Sequence, residues 1–114
     1  DLARALPPRF SGRVEFALSR PNYLECTAAG VTKGAALEAL SKRLGISRAE
    51  VAAFGDNEND LSMIRWAGHG YAVENAPSHV RAEALSAPAS DLDGVAQVIE
   101  RFLDEDAAAS ARKD

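Results

Sequence analysis

The spacing of apolar positions changes its period partway along the chain. In "RVEFALS", Val14, Phe16 and Leu18 alternate with Glu15, Ala17 and Ser19, the period of a half-buried strand. "RPN" is turn chemistry and "YLECTA" reads as a second strand, so residues 13–28 are expected to form a β-hairpin with a longish turn. Cys26 is expected to be a small buried apolar residue of that hairpin. Upstream, "DLARALPPRFSG" reads as a helix end broken by Pro7-Pro8.

Beyond the hairpin the helical period takes over. In "VTKGAALEALSKRLG", Ala36, Leu37, Leu40 and Leu44 share one face, Thr32 is placed to cap and Gly45 to stop the helix. "SRAE" has the form of a capping box and predicts one short turn. "VAAFG" is the continuous apolar run of a buried parallel strand. Leu61, Ile64 and Ala67 then define a helix face that Gly68 ends, "GYAVEN" a short strand, and Ser78 a cap for the helix "HVRAEAL". "LSAPAS" is not expected to be a buried strand. Val95, Val98, Ile99 and Phe102 predict a last helix, and "DEDAAASARKD" lacks apolar periodicity and is expected to fray. Helices alternating with strands from residue 29 onward argue for an α/β sheet with parallel strands, where ligands sit at the carboxyl ends of the strands.

One such end carries Asp56-Asn57-Glu58-Asn59-Asp60, directly after "VAAFG". Two readings of this cluster stay open from local pattern. Asp and Asn at a helix start cap free N–H groups and complement the dipole. The same oxygen-rich side chains suit Mg²⁺, which takes a few carboxylates and keeps water for the rest. Asp56, first past the strand, is the best-placed metal ligand, with Asp60 one turn on. Asn59 can donate its amide to an anion, and Glu58 points away. An EF-hand loop is excluded, because Leu61 stands where Gly belongs and Ala67 where Glu belongs. Upstream, Lys33 opens a helix, where its charge opposes the dipole at a cost of about 0.3–1 kcal/mol. An anionic ligand would reverse that sign. Its alternative is an exposed, solvated lysine.

Composition narrows the classes. A net charge of -4 offers no basic field for nucleic acid, and 114 residues suit one small domain. One cysteine builds neither a disulfide nor a Cys-based metal site, which suits a reducing, cytoplasmic setting. No apolar run is long enough to span a bilayer, and no membrane partner is expected.

Taken together, "KGAALEALSKRLGI", "VAAFGDNENDLSMIRWAGHGYAVENA" and "DGVAQVIERFL" resemble the C-terminal half of the haloacid dehalogenase superfamily, in particular its Cof-type sugar-phosphate phosphatases. The resemblance implies a partial Rossmann-like core over residues 29–103, preceded by the last hairpin of an α/β cap domain (1–28) and followed by a flexible tail (104–114). It implies a Mg²⁺-dependent phosphomonoester hydrolase acting on a small sugar phosphate or related metabolite through an aspartyl-phosphate. By position, Lys33 matches the phosphate-contacting lysine and Asp56 the metal-ligating carboxylate. Asn59 matches the amide that contacts phosphate. Asp60 matches the last acidic position, which supports the metal through water or orients its neighbours.

The family nucleophile belongs to an Asp-x-Asp-Gly-Thr element that should precede everything seen here, and nothing before residue 29 offers it. Asp91-Leu92-Asp93-Gly94 lies after the metal motif, with Val95 in place of Thr, so Asp93 reads as a turn or cap residue. The chain is therefore expected to be half an active site, inactive alone. A missing N-terminal segment or a second copy would complete it, and Asp1 suggests a gene product that begins upstream. The competing reading is a noncatalytic, truncated or degenerate relative that binds a metal or a partner. An upstream strand ending in Asp-x-Asp-Gly-Thr separates the two. Arg20 and Tyr23 are expected to reach the leaving group, Asn75 to buttress the metal loop, and His69 and His79 to be surface residues.

Overall fold

In the computed structural model, which describes residues 1–113, two sheets lie in sequence along the chain. A short helix α1 (Leu2–Ala5) and a 3₁₀ turn at Pro7–Arg9 lead into the antiparallel hairpin of β1 (Val14–Arg20) and β2 (Tyr23–Ala28). The connection is tighter than the expected long turn: Arg20 pairs with Tyr23 across Pro21 and Asn22, after an irregularity between Leu18 and Arg20. Cys26 is exposed rather than buried. The two-stranded hairpin has too little apolar cover to enclose both of its faces.

The chain then builds a parallel sheet in the order β3 (Ala52–Gly55), β4 (His69–Val73), β5 (Leu85–Ala87). Helix α2 (Lys33–Leu44) begins and ends where the sequence predicts. The Thr32 hydroxyl accepts from the Ala35 N–H at 3.1 Å, and Gly45 takes the left-handed conformation with φ 68°. Its apolar stripe is not covered, however: Leu40 and Leu44 are exposed. The helix docks instead through Gly34 and Ser41, which are buried. Ser47 and Glu50 close the predicted capping box, the Ser47 N–H donating to Glu50 Oε2 at 2.9 Å. After a 3₁₀ turn at Glu58–Asp60, α3 (Leu61–Trp66) crosses from β3 to β4, burying Leu61, Ile64 and Ala67 as predicted.

The two faces of the sheet differ in size of side chain. Phe54 and Tyr71 are register partners and stack at 5.2 Å, and Tyr71 meets Phe102 of α5 edge-on at 6.2 Å. The alternate positions, Ala53, Gly55, Gly70 and Ala72, face α3. A Cβ at Gly70 would lie 2.1 Å from the Ile64 carbonyl oxygen, so the helix can approach this closely only over glycine. The core is Leu61, Ile64, Ala72, Val73, Ala76, Val80, Ala87 and Val98.

Three expectations are corrected here. "LSAPAS" contributes β5, a parallel partner of β4 with Ala87 wholly buried; pairing with β4 overrides a local pattern in which only one of three residues turns inward. Helix α4 is the single turn Ser78–Arg81, with Pro77 at its cap position and Ser78 inside it. The last helix, α5 (Gly94–Lys113), does not stop near Leu103 but runs through most of the expected tail, whose final residue, Asp114, lies outside the described residues. Ala107, Ala108, Ala109 and Ala111 are strong helix formers, and propensity carries the helix past its last packed residue, Phe102. Hairpin and tail extend the molecule, giving a radius of gyration of 16.7 Å against about 13 Å for a compact chain of similar length. Among the described residues, no helix is long and apolar enough to cross a membrane.

Candidate functional site

The carboxyl end of β3 opens into the Asp56–Asp60 loop, and Asp60 organises it. Its side chain is buried and turns back along the chain. Oδ2 accepts from the backbone N–H of Asp56 at 3.0 Å and of Asn57 at 3.1 Å, and Oδ1 from Lys33 Nζ at 2.5 Å. Space for this reversal comes from Gly55, where a Cβ would stand 2.4 Å from that of Asp60. Burial pushes the Asp60 carboxyl up. The Lys33 ammonium and the two N–H groups outweigh it, so the net effect is a pKa below the ordinary aspartate value.

Lys33 reaches the loop because α2 and α3 touch at their N-terminal ends. The Gly34 N–H donates to Ser62 Oγ at 3.0 Å, and a Cβ at Gly34 would fall 2.4 Å from the Ser62 carbonyl oxygen. The Lys-Gly pair thus has a physical reason: glycine permits the contact that carries the lysine to Asp60. Lys33 keeps 48% of its side-chain surface exposed, so its ammonium still faces solvent while one hydrogen bond is held.

Asp56 itself is exposed. One carboxylate oxygen accepts from Asn57 Nδ2 at 2.9 Å, and the other has no protein hydrogen-bond donor among the described residues. With both Asp60 oxygens occupied, Asp56 offers a hard cation one carboxylate oxygen that no protein donor engages among the described residues. Among the described residues, no three His, Cys, Asp or Glu side chains gather as a complete metal cage. Mg²⁺ takes about six oxygens, several from water and substrate, so Asp56 fits as one ligand of a set completed elsewhere. The dual expectation for Asp60, metal support or orientation of its neighbours, therefore has a geometry: Asp60 holds the loop.

A cleft of about 670 Å³ lies between hairpin and core, lined among others by Lys33, Asn59, Arg65 and His79, and by Glu15 and Glu25 from the hairpin. Asn59 Nδ2 donates to Glu25 Oε2 at 3.1 Å. Arg65 bridges bidentately to Glu83, at 2.6 Å through Nη2. Arg20 and Tyr23 sit at the hairpin tip, outside this lining, and Asn75 bonds not the Asp56–Asp60 loop but Ser90, through both ends of its amide. Asp93 takes a left-handed turn conformation with φ 55° at the end of the 3₁₀ turn Ser90–Leu92. Sequence reading singled out neither Glu25 nor Arg65 for the site. Each meets it through pairing across the fold, for which local spacing carries no signal.

The depressed Asp60 carboxyl sets a pH dependence. A carboxylate whose folded pKa lies below its unfolded value, about 3.9, stabilises the fold fully above that value and loses the contribution as pH falls through the folded one. The stability difference between the complete wild-type protein and Asp60→Asn should therefore be constant at neutral pH and shrink below about pH 4. Denaturant melts across that range check it; a difference unchanged at pH 3 contradicts the ion-pair account.

The haloacid dehalogenase-like hydrolase family model matches residues 1–99. The chain is 47% identical over 73 residues to phosphoglycolate phosphatase of Archaeoglobus fulgidus, covering 63% of this chain and 33% of that protein. A solved structure from Streptococcus mutans UA159 superposes with a TM-score of 0.84 at 35% identity, over 90% of this chain and 39% of that one. The subclass IIB sugar phosphatase BT4131 gives a TM-score of 0.81 at 30% identity, over 87% and 38%. The chain thus spans a third to two-fifths of the length of these relatives.

Proposed function

The chain belongs to the haloacid dehalogenase-like hydrolases, and from that premise we propose that the complete protein is a Mg²⁺-dependent phosphatase acting on a small phosphorylated metabolite such as a sugar phosphate. The observation that carries the reading is the Lys33–Asp60 ion pair, which fixes a cation at the mouth of the Asp56 loop. In this reading the Lys33 ammonium lies against the phosphate oxygens and offsets their charge. The Asn59 amide donates to the same group. Asp60 keeps Lys33 in reach and holds the Asp56 and Asn57 N–H groups, which fixes the loop that carries the Asp56 carboxylate. A bound Mg²⁺ would supply charge neutralisation for the phosphoryl group and its attacker. The nucleophilic Asp is assigned to a segment outside this chain, which a second copy of the same sequence would equally lack. The relatives named as phosphatases support the class of reaction.

The experiment is hydrolysis of p-nitrophenyl phosphate and a panel of sugar phosphates by the complete protein. Turnover should vanish with EDTA and return with added Mg²⁺. Activity indifferent to chelation rejects the metal role. No activity on any phosphomonoester, with Mg²⁺ bound, favours the noncatalytic binding-module reading.

A further inference from the structure

Hairpin and core meet at one side-chain hydrogen bond close to the site, from Asn59 Nδ2 to Glu25 Oε2. Glu25 is set opposite Ala17 in the hairpin register, and Glu15 opposite Thr27, so these four side chains share one face of the ribbon; all four line the cleft. From this geometry we infer that Glu25 is a positioning residue: it fixes which end of the Asn59 amide faces the cleft. The inference rests on the reading of Asn59 as a phosphate donor.

The physical reason lies in the symmetry of an amide. Its oxygen and nitrogen ends are nearly the same size, so packing alone does not choose between them. Turned one way, Asn59 offers N–H groups to a phosphate; turned the other, it presents an oxygen lone pair and repels it. An ionised carboxylate only accepts, so Glu25 can bond the nitrogen end alone. One N–H is spent on Glu25, and the second, on the same nitrogen, has no protein acceptor among the described residues; Asn59 and Lys33 line the same cleft. The hairpin thus sets the donor polarity of a core side chain, and a hairpin moved away would leave the amide free to turn.

The neighbouring acidic groups do not replace Glu25. Glu15 is held by the Gly30 N–H at 3.2 Å on the hairpin itself, and Glu83 by Arg65. Glu58, the first residue of the 3₁₀ turn, lies 4.0 Å from His79 Nε2.

The test uses the complete protein, with inorganic phosphate as the probe, its affinity read by calorimetry in Mg²⁺ and its inhibition constant by p-nitrophenyl phosphate turnover. Glu25→Ala should weaken phosphate about three- to tenfold, the share of one hydrogen bond. Glu25→Gln, whose amide can bond either end of Asn59 and so no longer selects one, should keep the contact but recover only part of the affinity. In an Asn59→Ala background, Glu25→Ala should do nothing further. For a merely structural Glu25, Gln would restore the affinity in full, and the loss in Glu25→Ala would be equal with or without Asn59. Wild-type affinity in Glu25→Ala, or an undiminished effect in the Asn59→Ala background, overturns the inference while leaving the phosphatase reading intact. Wild-type protein that binds no phosphate overturns both.

Discussion

Asp56→Asn in the complete protein should lower Mg²⁺-dependent turnover of p-nitrophenyl phosphate by about a thousandfold or more, with the fold unchanged. The size follows from what a cation contributes to a developing phosphoryl transition state, several kcal/mol, each 1.36 kcal/mol being tenfold in rate. The fold should tolerate the change because Asp56 is exposed, and the bond its side chain accepts from Asn57 Nδ2 can be accepted by an amide oxygen. Asn is nearly isosteric but neutral, and a neutral oxygen holds Mg²⁺ far more weakly than a carboxylate. A variant with wild-type turnover would remove Asp56 from the metal site, whereas loss of activity together with loss of cooperative unfolding would show a structural role instead.

Asp60→Ala should be the more damaging change to the protein as a whole. It removes the acceptor for two backbone N–H groups and leaves Lys33 without its partner. Breaking a fully buried pair costs about 3–5 kcal/mol, but Lys33 is half exposed and water can solvate it, which lowers the figure. The N–H groups near a protein interior add their own desolvation. The expected loss is on the order of 2–4 kcal/mol of stability, read from denaturant melts, together with a collapse in phosphate affinity as Lys33 is released. Asp60→Asn should fall between the two, since its amide oxygen can still accept from one or both N–H groups. A melt unchanged in Asp60→Ala would mean that the loop is held by something other than this carboxylate.

These two residues also show how far the sequence could be read. Asp56 and Asp60 stand out together because the strand pattern of "VAAFG" ends at Gly55 and the helix pattern of Leu61, Ile64 and Ala67 begins just after, so their place at a strand end follows from local periodicity. Thr32 and Gly45 bracket α2 by cap chemistry that acts within four residues. What separates the two aspartates is tertiary: Gly55 gives the Asp60 side chain room to fold back, and Gly34 lets α2 deliver Lys33 from 27 positions away. The strand β5 escaped notice for the same reason, because Leu85 and Ser86 stay exposed and only hydrogen bonding to β4 makes Leu85–Ala87 a strand. The stripe of Leu40 and Leu44 misled in the opposite direction: helical spacing gives a face, but not the partner that would cover it. Cys26 failed likewise, since an open two-stranded ribbon has no interior on that side.

The central claim is that the Asp56 carboxylate grips a divalent cation. A calorimetric titration of Mg²⁺ into the complete protein, beside the same titration of Asp56→Asn, tests it most directly. The account predicts one saturable Mg²⁺ site in the wild type and its loss in the folded variant. Equal Mg²⁺ affinity in the two proteins would contradict it.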